Sequence, residues 1–305
     1  MGFIKKISLI LVFIFFLPAI LIADELDNEL PKDTPLQIKE KARQVISLGV
    51  ENQGIVKMTQ TMLQNRFSKQ QMLEAYEILI DAKMSNLPEE PIINKMYEGI
   101  GKRVQNQNII MAMEKVHARY KTANNIAQHM SSDRDQSRIL TRHIAECMTA
   151  GMTGKDMDRI GEMLQTRSEG QSGKGTAELS EQTLKTVKTM ARMGVKSEFA
   201  VGIVDEALKK GYESNKMIRL EKAFIVQARA RSNPSEVARL FAQNIKAGVS
   251  VDDLSRPGFL NSNNGMRNNS PGNNFGDFNG SSQGTSRGSG GAGRSGGTGG
   301  GGGKR

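Results

Sequence analysis

Four groups of residues have types and spacings that chemistry uses. Gly170-Gln171-Ser172-Gly173-Lys174-Gly175-Thr176 has the composition of a phosphate-binding loop. Such a loop needs Gly, four residues, then Gly-Lys-Ser/Thr, so that backbone N–H groups cradle the phosphates while the lysine neutralises them. Counting back from Gly173-Lys174, the first glycine should stand where Ser168 does, and Lys174 is followed by Gly175 rather than a hydroxyl residue. The other register puts Thr176 in the lysine position. The preceding "DMDRIGEMLQTR" has helical spacing, so the strand that would aim the loop is also missing. Nucleotide binding is therefore not expected. The glycines read as a linker, with Ser180 capping the next helix.

His143, Glu146 and Cys147 stand at i, i+3 and i+4, close enough on one helical face to share a metal, and they form the candidate ligand set. Helical zinc sites of this type carry a second histidine where this chain has Cys147; His117 and His129 would have to be supplied by the fold. A partly exposed His-Glu pair beside a buried cysteine is the simpler reading. The pairs Met58/Met62, Met148/Met152 and Met190/Met193 could offer thioethers to Cu(I). On apolar helical faces they are instead expected to fill the core. No metal or cofactor is expected.

The fourth group is at the C-terminus. Residues 261–305 hold 16 of the 32 glycines, with Arg267, Arg287, Arg294, Lys304 and Arg305 opposed only by Asp277, a charge of +4. Such a segment buries too little to offset chain entropy, so it is expected to be disordered. Its five cations are candidate polyanion contacts, with Phe275 and Phe278 as the available stacking groups. The tail is read first as a flexible extension, and nucleic acid is not expected as a partner.

The elements that must position these groups are helices. Val237, Leu240, Phe241 and Ile245 share one helical face, as do Phe199, Ile203, Val204, Ala207 and Leu208, and no segment alternates as a strand does. One junction recurs, at Gly49, Arg66, Lys83, Gly151, Gly194, Gly211 and Gly248: Gly or a basic residue, one apolar residue, then usually a hydroxyl within three positions. A left-handed residue ends one helix, the apolar residue folds back, and the hydroxyl caps the next. Gly49 to Arg66, Arg66 to Lys83 and Gly194 to Gly211 are each 17 residues, and Gly211 to Gly248 is 37. Ser232 or Asn233 with Pro234 supplies the junction inside the longer interval.

A helical hairpin of this length is the unit of helical solenoids. Tetratricopeptide repeats share the length, but their Trp, Leu-Gly and Tyr positions are unmatched, and the chain has no Trp. The expected fold is all-α, with helical-hairpin repeats stacked as an α-solenoid; a compact helical bundle is the alternative. Longer helices are expected between Arg103 and Arg142, where the register is poor.

The chain opens with Lys5 and Lys6, an apolar run from Ile7 to Ile22, and Ala23. That order predicts a cleaved secretory signal at 1–23 and export to a periplasmic or extracellular compartment. The expected organisation continues with an extended lead-in at 24–35, an N-terminal array at 36–167, and a linker at 168–179. A C-terminal array at 180–256 and the tail at 257–305 complete it. Without the two signal lysines, 40 basic residues face 32 acidic ones; the body up to Leu260 keeps 35 against 31, an ordinary mixed surface. Cys147 is the sole cysteine, so the fold rests on burial and not on disulfides.

Glu213-Ser214 matches the catalytic Glu-Ser that lytic transglycosylases combine with a helical array, but their Gly-Leu-Met-Gln segment is absent. The expectation is an exported, non-enzymatic protein-interaction or envelope scaffold with an unspecified protein or polymer partner. A cell-wall glycan-acting enzyme or accessory, and polyanion or nucleic-acid binding through the basic Gly/Arg tail, are the alternatives.

Overall fold

The computed structural model describes residues 29–168, 174–256 and 258–260. The signal at 1–23, linker residues 169–173 and the tail from 261, with its five cations, lie outside the described residues. Every described residue belongs to one packing unit within Met1–Gly265; the second unit, Met266–Arg305, contains none of them.

The described residues are all-α, with twelve helices and no strand. They are α1 (Leu36–Ser47), α2 (Asn52–Gln64), α3 (Lys69–Met84), α4 (Glu90–Gly101), α5 (Asn106–Met130) and α6 (Arg134–Thr149). There follow α7 (Gly154–Ser168), α8 (Lys174–Arg192), α9 (Ser197–Lys209), α10 (Ser214–Arg229), α11 (Pro234–Lys246) and α12 (Val251–Leu254).

Eight junctions share one construction. Gly49, Arg66, Asn86, Arg103, Gly151, Gly194, Gly211 and Gly248 all have positive φ. At Gly194 (φ 87°), its N–H bonds Ala191 O at 3.0 Å and the Val195 N–H bonds Met190 O at 3.1 Å. The same two bonds recur at the other seven, which makes each a Schellman stop. The following apolar residue is buried at Val50, Phe67, Leu87, Met152, Val195 and Tyr212. At seven junctions the next helix begins three positions after the left-handed residue; Pro88 lengthens the eighth by one.

Ser68, Thr153 and Ser250 cap the next helices, accepting from Gln71 N (3.2 Å), Asp156 N (3.1 Å) and Asp253 N (3.1 Å). Asn233 caps α11 ahead of Pro234, accepting from Glu236 N. Asp133 does the same for α6.

Several expected boundaries move. The stop assigned to Lys83 is made by Asn86, whose short side chain tolerates the left-handed region, and Arg103 makes a further stop. Helix α8 begins at Lys174, so 174–179 are helical and Ser180 lies inside the helix rather than capping it. Ahead of α1, Leu30 and Thr34 are buried and the Thr34 N–H bonds Pro31 O, so this part of the lead-in is a packed turn. Phe259 and Leu260 pack against the core, beyond the boundary expected at 256.

Packing follows chain order. The odd helices pack in series from α1 to α11, and α6, α8, α10 and α12 form a second series. Hairpin contacts such as α5–α6, α8–α9 and α10–α11 join the two. Contacts α6–α8 and α7–α9 cross the 168–179 segment, so the helices before and after it form one packed body. The interfaces are aliphatic and methionine-rich: Met58, Met62, Met72, Met96, Met190 and Met217 are buried, while Phe224 and Phe241 meet edge-on at 5.5 Å.

Candidate functional site

The second series of helices holds His143, Glu146 and Cys147. Helix α6 turns Ile144, Ala145 and Cys147 into the core, which leaves His143 and Glu146 half-buried at its edge. His143 Nδ1 is 3.8 Å from Glu146 Oε2, and that oxygen accepts from Lys188 Nζ on α8 at 2.7 Å. Cys147 is fully buried and its thiol donates to Leu184 O, 3.3 Å away on α8.

The electrostatics follow from this placement. Burial pushes the Cys147 thiol up to about 12, so it stays protonated. Burial, helped by Lys188 and Lys185, also lowers the pKa of His143 despite the neighbouring Glu146. Burial would raise the Glu146 pKa, but the Lys188 hydrogen bond and charge, with His143 and Arg192, outweigh it and hold the carboxyl below its usual range.

Cys147 and Glu146 are therefore engaged by different groups of α8, and His143 Nδ1 faces Glu146 at 3.8 Å without a hydrogen bond. Cys147 is bonded to the α8 backbone and Glu146 to Lys188, and no group of three or more His, Cys, Asp or Glu among the described residues could hold a metal. His117 lies 3.3 Å from Asp81 Oδ2 across α3–α5, and His129 is exposed near the end of α5. Glu213 is the N-cap residue of α10, and its carboxylate accepts from Arg167 Nη2 at 2.8 Å, so it is tied into an inter-helix ion pair.

What the fold assembles instead is a polar seam with a charged border. Glu221 on α10 accepts from Gln182 Nε2 at 2.9 Å and Thr189 Oγ1 at 2.6 Å, both on α8. Gln227 continues the seam, its Nε2 donating to Leu254 O and Arg256 O at 3.0 and 2.6 Å. Around these bonds Arg142, Lys185, Arg192, Lys222 and Arg229 border the series, four of them exposed and Lys185 half-buried.

The odd series differs. There Asp205 pairs with both Arg159 (3.7 Å) and Lys209 (2.9 Å), and Asp156 accepts from Ser197 (2.6 Å). The sequence does carry a signal for the seam: Glu181, Lys185, Lys188 and Arg192 recur at helical spacing along α8. It gives no sign that Glu146 and Glu221 are the partners, because they lie 42 residues before Lys188 and 39 after Gln182. No protein-family model, curated protein or solved structure matches the chain.

Proposed function

We propose that this chain is an exported, non-enzymatic helical-repeat protein whose hairpins, stacked as an α-solenoid, serve as a protein-interaction or envelope scaffold. The observation that carries this reading is the packing order, in which each helix rests mainly on neighbours one and two places away in sequence. A stack built that way exposes a row of helix faces along its length, and such rows suit binding extended partners. The apolar run from Ile7 to Ile22 behind Lys5 and Lys6 supports export. Polyanion binding through the tail is a second reading, favoured by its five cations against one carboxylate.

Affinity capture from an envelope extract, with the intact chain and with a chain ending at Leu260, tests the scaffold. Recovery of one partner by both chains is expected. Loss on truncation would move the function to the tail, and release of soluble fragments from peptidoglycan by purified protein would replace the scaffold with an enzyme.

A further inference from the structure

We propose that the outward face of α6, α8 and α10 docks an acidic polypeptide segment that also carries aliphatic side chains. This rests on the scaffold reading and names the face and partner chemistry it would use. Two inter-helix bonds make the face continuous. Glu146–Lys188 ties α6 to α8, and Thr189–Glu221 ties α8 to α10. One turn before each member of the first bond stand Arg142 and Lys185, and one turn after Lys188 stands Arg192. Beside Glu221 stands Lys222, and two turns further along α10 is Arg229.

The charge on this face is unbalanced. Arg142, Arg192, Lys222 and Arg229 are exposed, and among the described residues none lies within ion-pair distance of a carboxylate. The acids nearest these cations are engaged, Glu146 by Lys188, Glu221 by Gln182 and Thr189, and Glu181 by Lys185 at 3.6 Å, while the exposed carboxylates of Asp135 and Glu178 lie two turns before Arg142 and Lys185, near the starts of α6 and α8. By contrast, outward residues of α7 and α9 include the exposed carboxylates of Asp158, Glu162 and Glu198 as well as the Asp205 pairs. An excess of cations on one row of helices attracts an acidic partner and orients it along the row.

Apolar side chains on the same face select the class of acid. Ile139 is 42% exposed and Val226 47%, and Ile218 and Ile225 are half-buried beside Lys222. A phosphate polymer has nothing to place against them and a glycan offers only ring C–H faces and acetyl methyls, whereas a peptide can set leucine or valine there and glutamate or aspartate over the cations. The chain's own tail does not suit the face, because its charge of +4 has the same sign.

The test uses the mature full-length chain and a fluorescent synthetic peptide with Glu on one helical face and Leu on the other; poly-glutamate and polyphosphate are comparison probes. The combined reversal Arg142→Glu, Arg192→Glu and Lys222→Glu is expected to weaken peptide binding on the order of tenfold or more, while Lys155→Glu with Lys246→Glu changes it less than about twofold. Ile139→Gln with Val226→Gln, exposed positions that spare the core, should weaken the peptide but not poly-glutamate. Unchanged peptide affinity in the triple reversal would overturn the proposal, as would poly-glutamate or polyphosphate binding as tightly as the peptide. Body-dependent capture of an envelope partner that survives the triple reversal would overturn this face and leave the scaffold standing. Reversal-sensitive peptide binding without any body-dependent partner would support the face and count against the scaffold.

Discussion

A thiol that donates to a main-chain carbonyl inside a helix interface is held away from both reagents and metals. Cys147 is in that position, bonded to Leu184 O with its pKa pushed up to about 12. Native protein at mildly alkaline pH is expected to resist iodoacetamide and to take one label per chain after denaturation, a result that mass spectrometry reads directly. His143 one turn earlier has its pKa lowered from 6.5 by burial, so the folded state favours the neutral ring. The unfolded chain then binds the extra proton first. The contribution is complete above the unfolded value of 6.5 and is lost as pH falls from there toward the folded value. Denaturation midpoints measured between about pH 7 and pH 5 should fall more steeply for the native chain than for His143→Gln.

Among elements, the repeated stop governs the hairpins. Five of its left-handed positions inside the helical body are glycine, at Gly49, Gly151, Gly194, Gly211 and Gly248, and three are Arg66, Asn86 and Arg103. A side chain in that region costs roughly 1–2 kcal/mol, so Gly194→Ala is expected to lower unfolding free energy by about 1 kcal/mol and Arg66→Gly to raise it by a similar or smaller amount. Urea titration of both variants checks the pair, and the opposite signs separate backbone strain from a general loss of packing. At Gly99 a different cause operates: an added Cβ would come within 2.7 Å of Ile109 Cγ1 on α5. Gly99→Ala should therefore cost about 1–3 kcal/mol by forcing α4 and α5 apart or Ile109 out of its rotamer.

For the whole molecule, chain-order packing sets how stability is distributed. The closing contacts are Gln227 with Leu254 O and Arg256 O, and Phe259 and Leu260 against the core. A chain ending at Leu260 is expected to melt within about 2 °C of the intact protein, while one ending at Arg256 should melt lower because it loses two apolar side chains. Calorimetry distinguishes the two. Because helices pack mainly on near neighbours in sequence, hydrogen exchange should run fastest in the terminal hairpins and slowest around α5 to α9.

The helical class, the hairpin length and most of the stops were legible in the sequence because they are local. The 3.6-residue spacing of apolar positions, a glycine that can turn left-handed, and a hydroxyl two residues later all act within a few residues of one another. Asn86 and Arg103 are not read as stops from the sequence: the pattern places the Asn86 junction three residues early, at Lys83, and Arg103 stands at a junction with no hydroxyl within three positions, unlike Arg66, which Ser68 follows. The candidate metal set was visible as a spacing on α6, but its fate was decided by α8, which supplied Leu184 O to the thiol and Lys188 to the carboxylate. The cationic face has the same origin: Arg142, Arg192 and Lys222 are ordinary surface residues in the sequence, and only the stacking of α6, α8 and α10 brings them onto one surface. Interactions within a turn are written in neighbouring letters, whereas those across 39 or 42 residues depend on which helix faces meet, and that choice belongs to the tertiary structure.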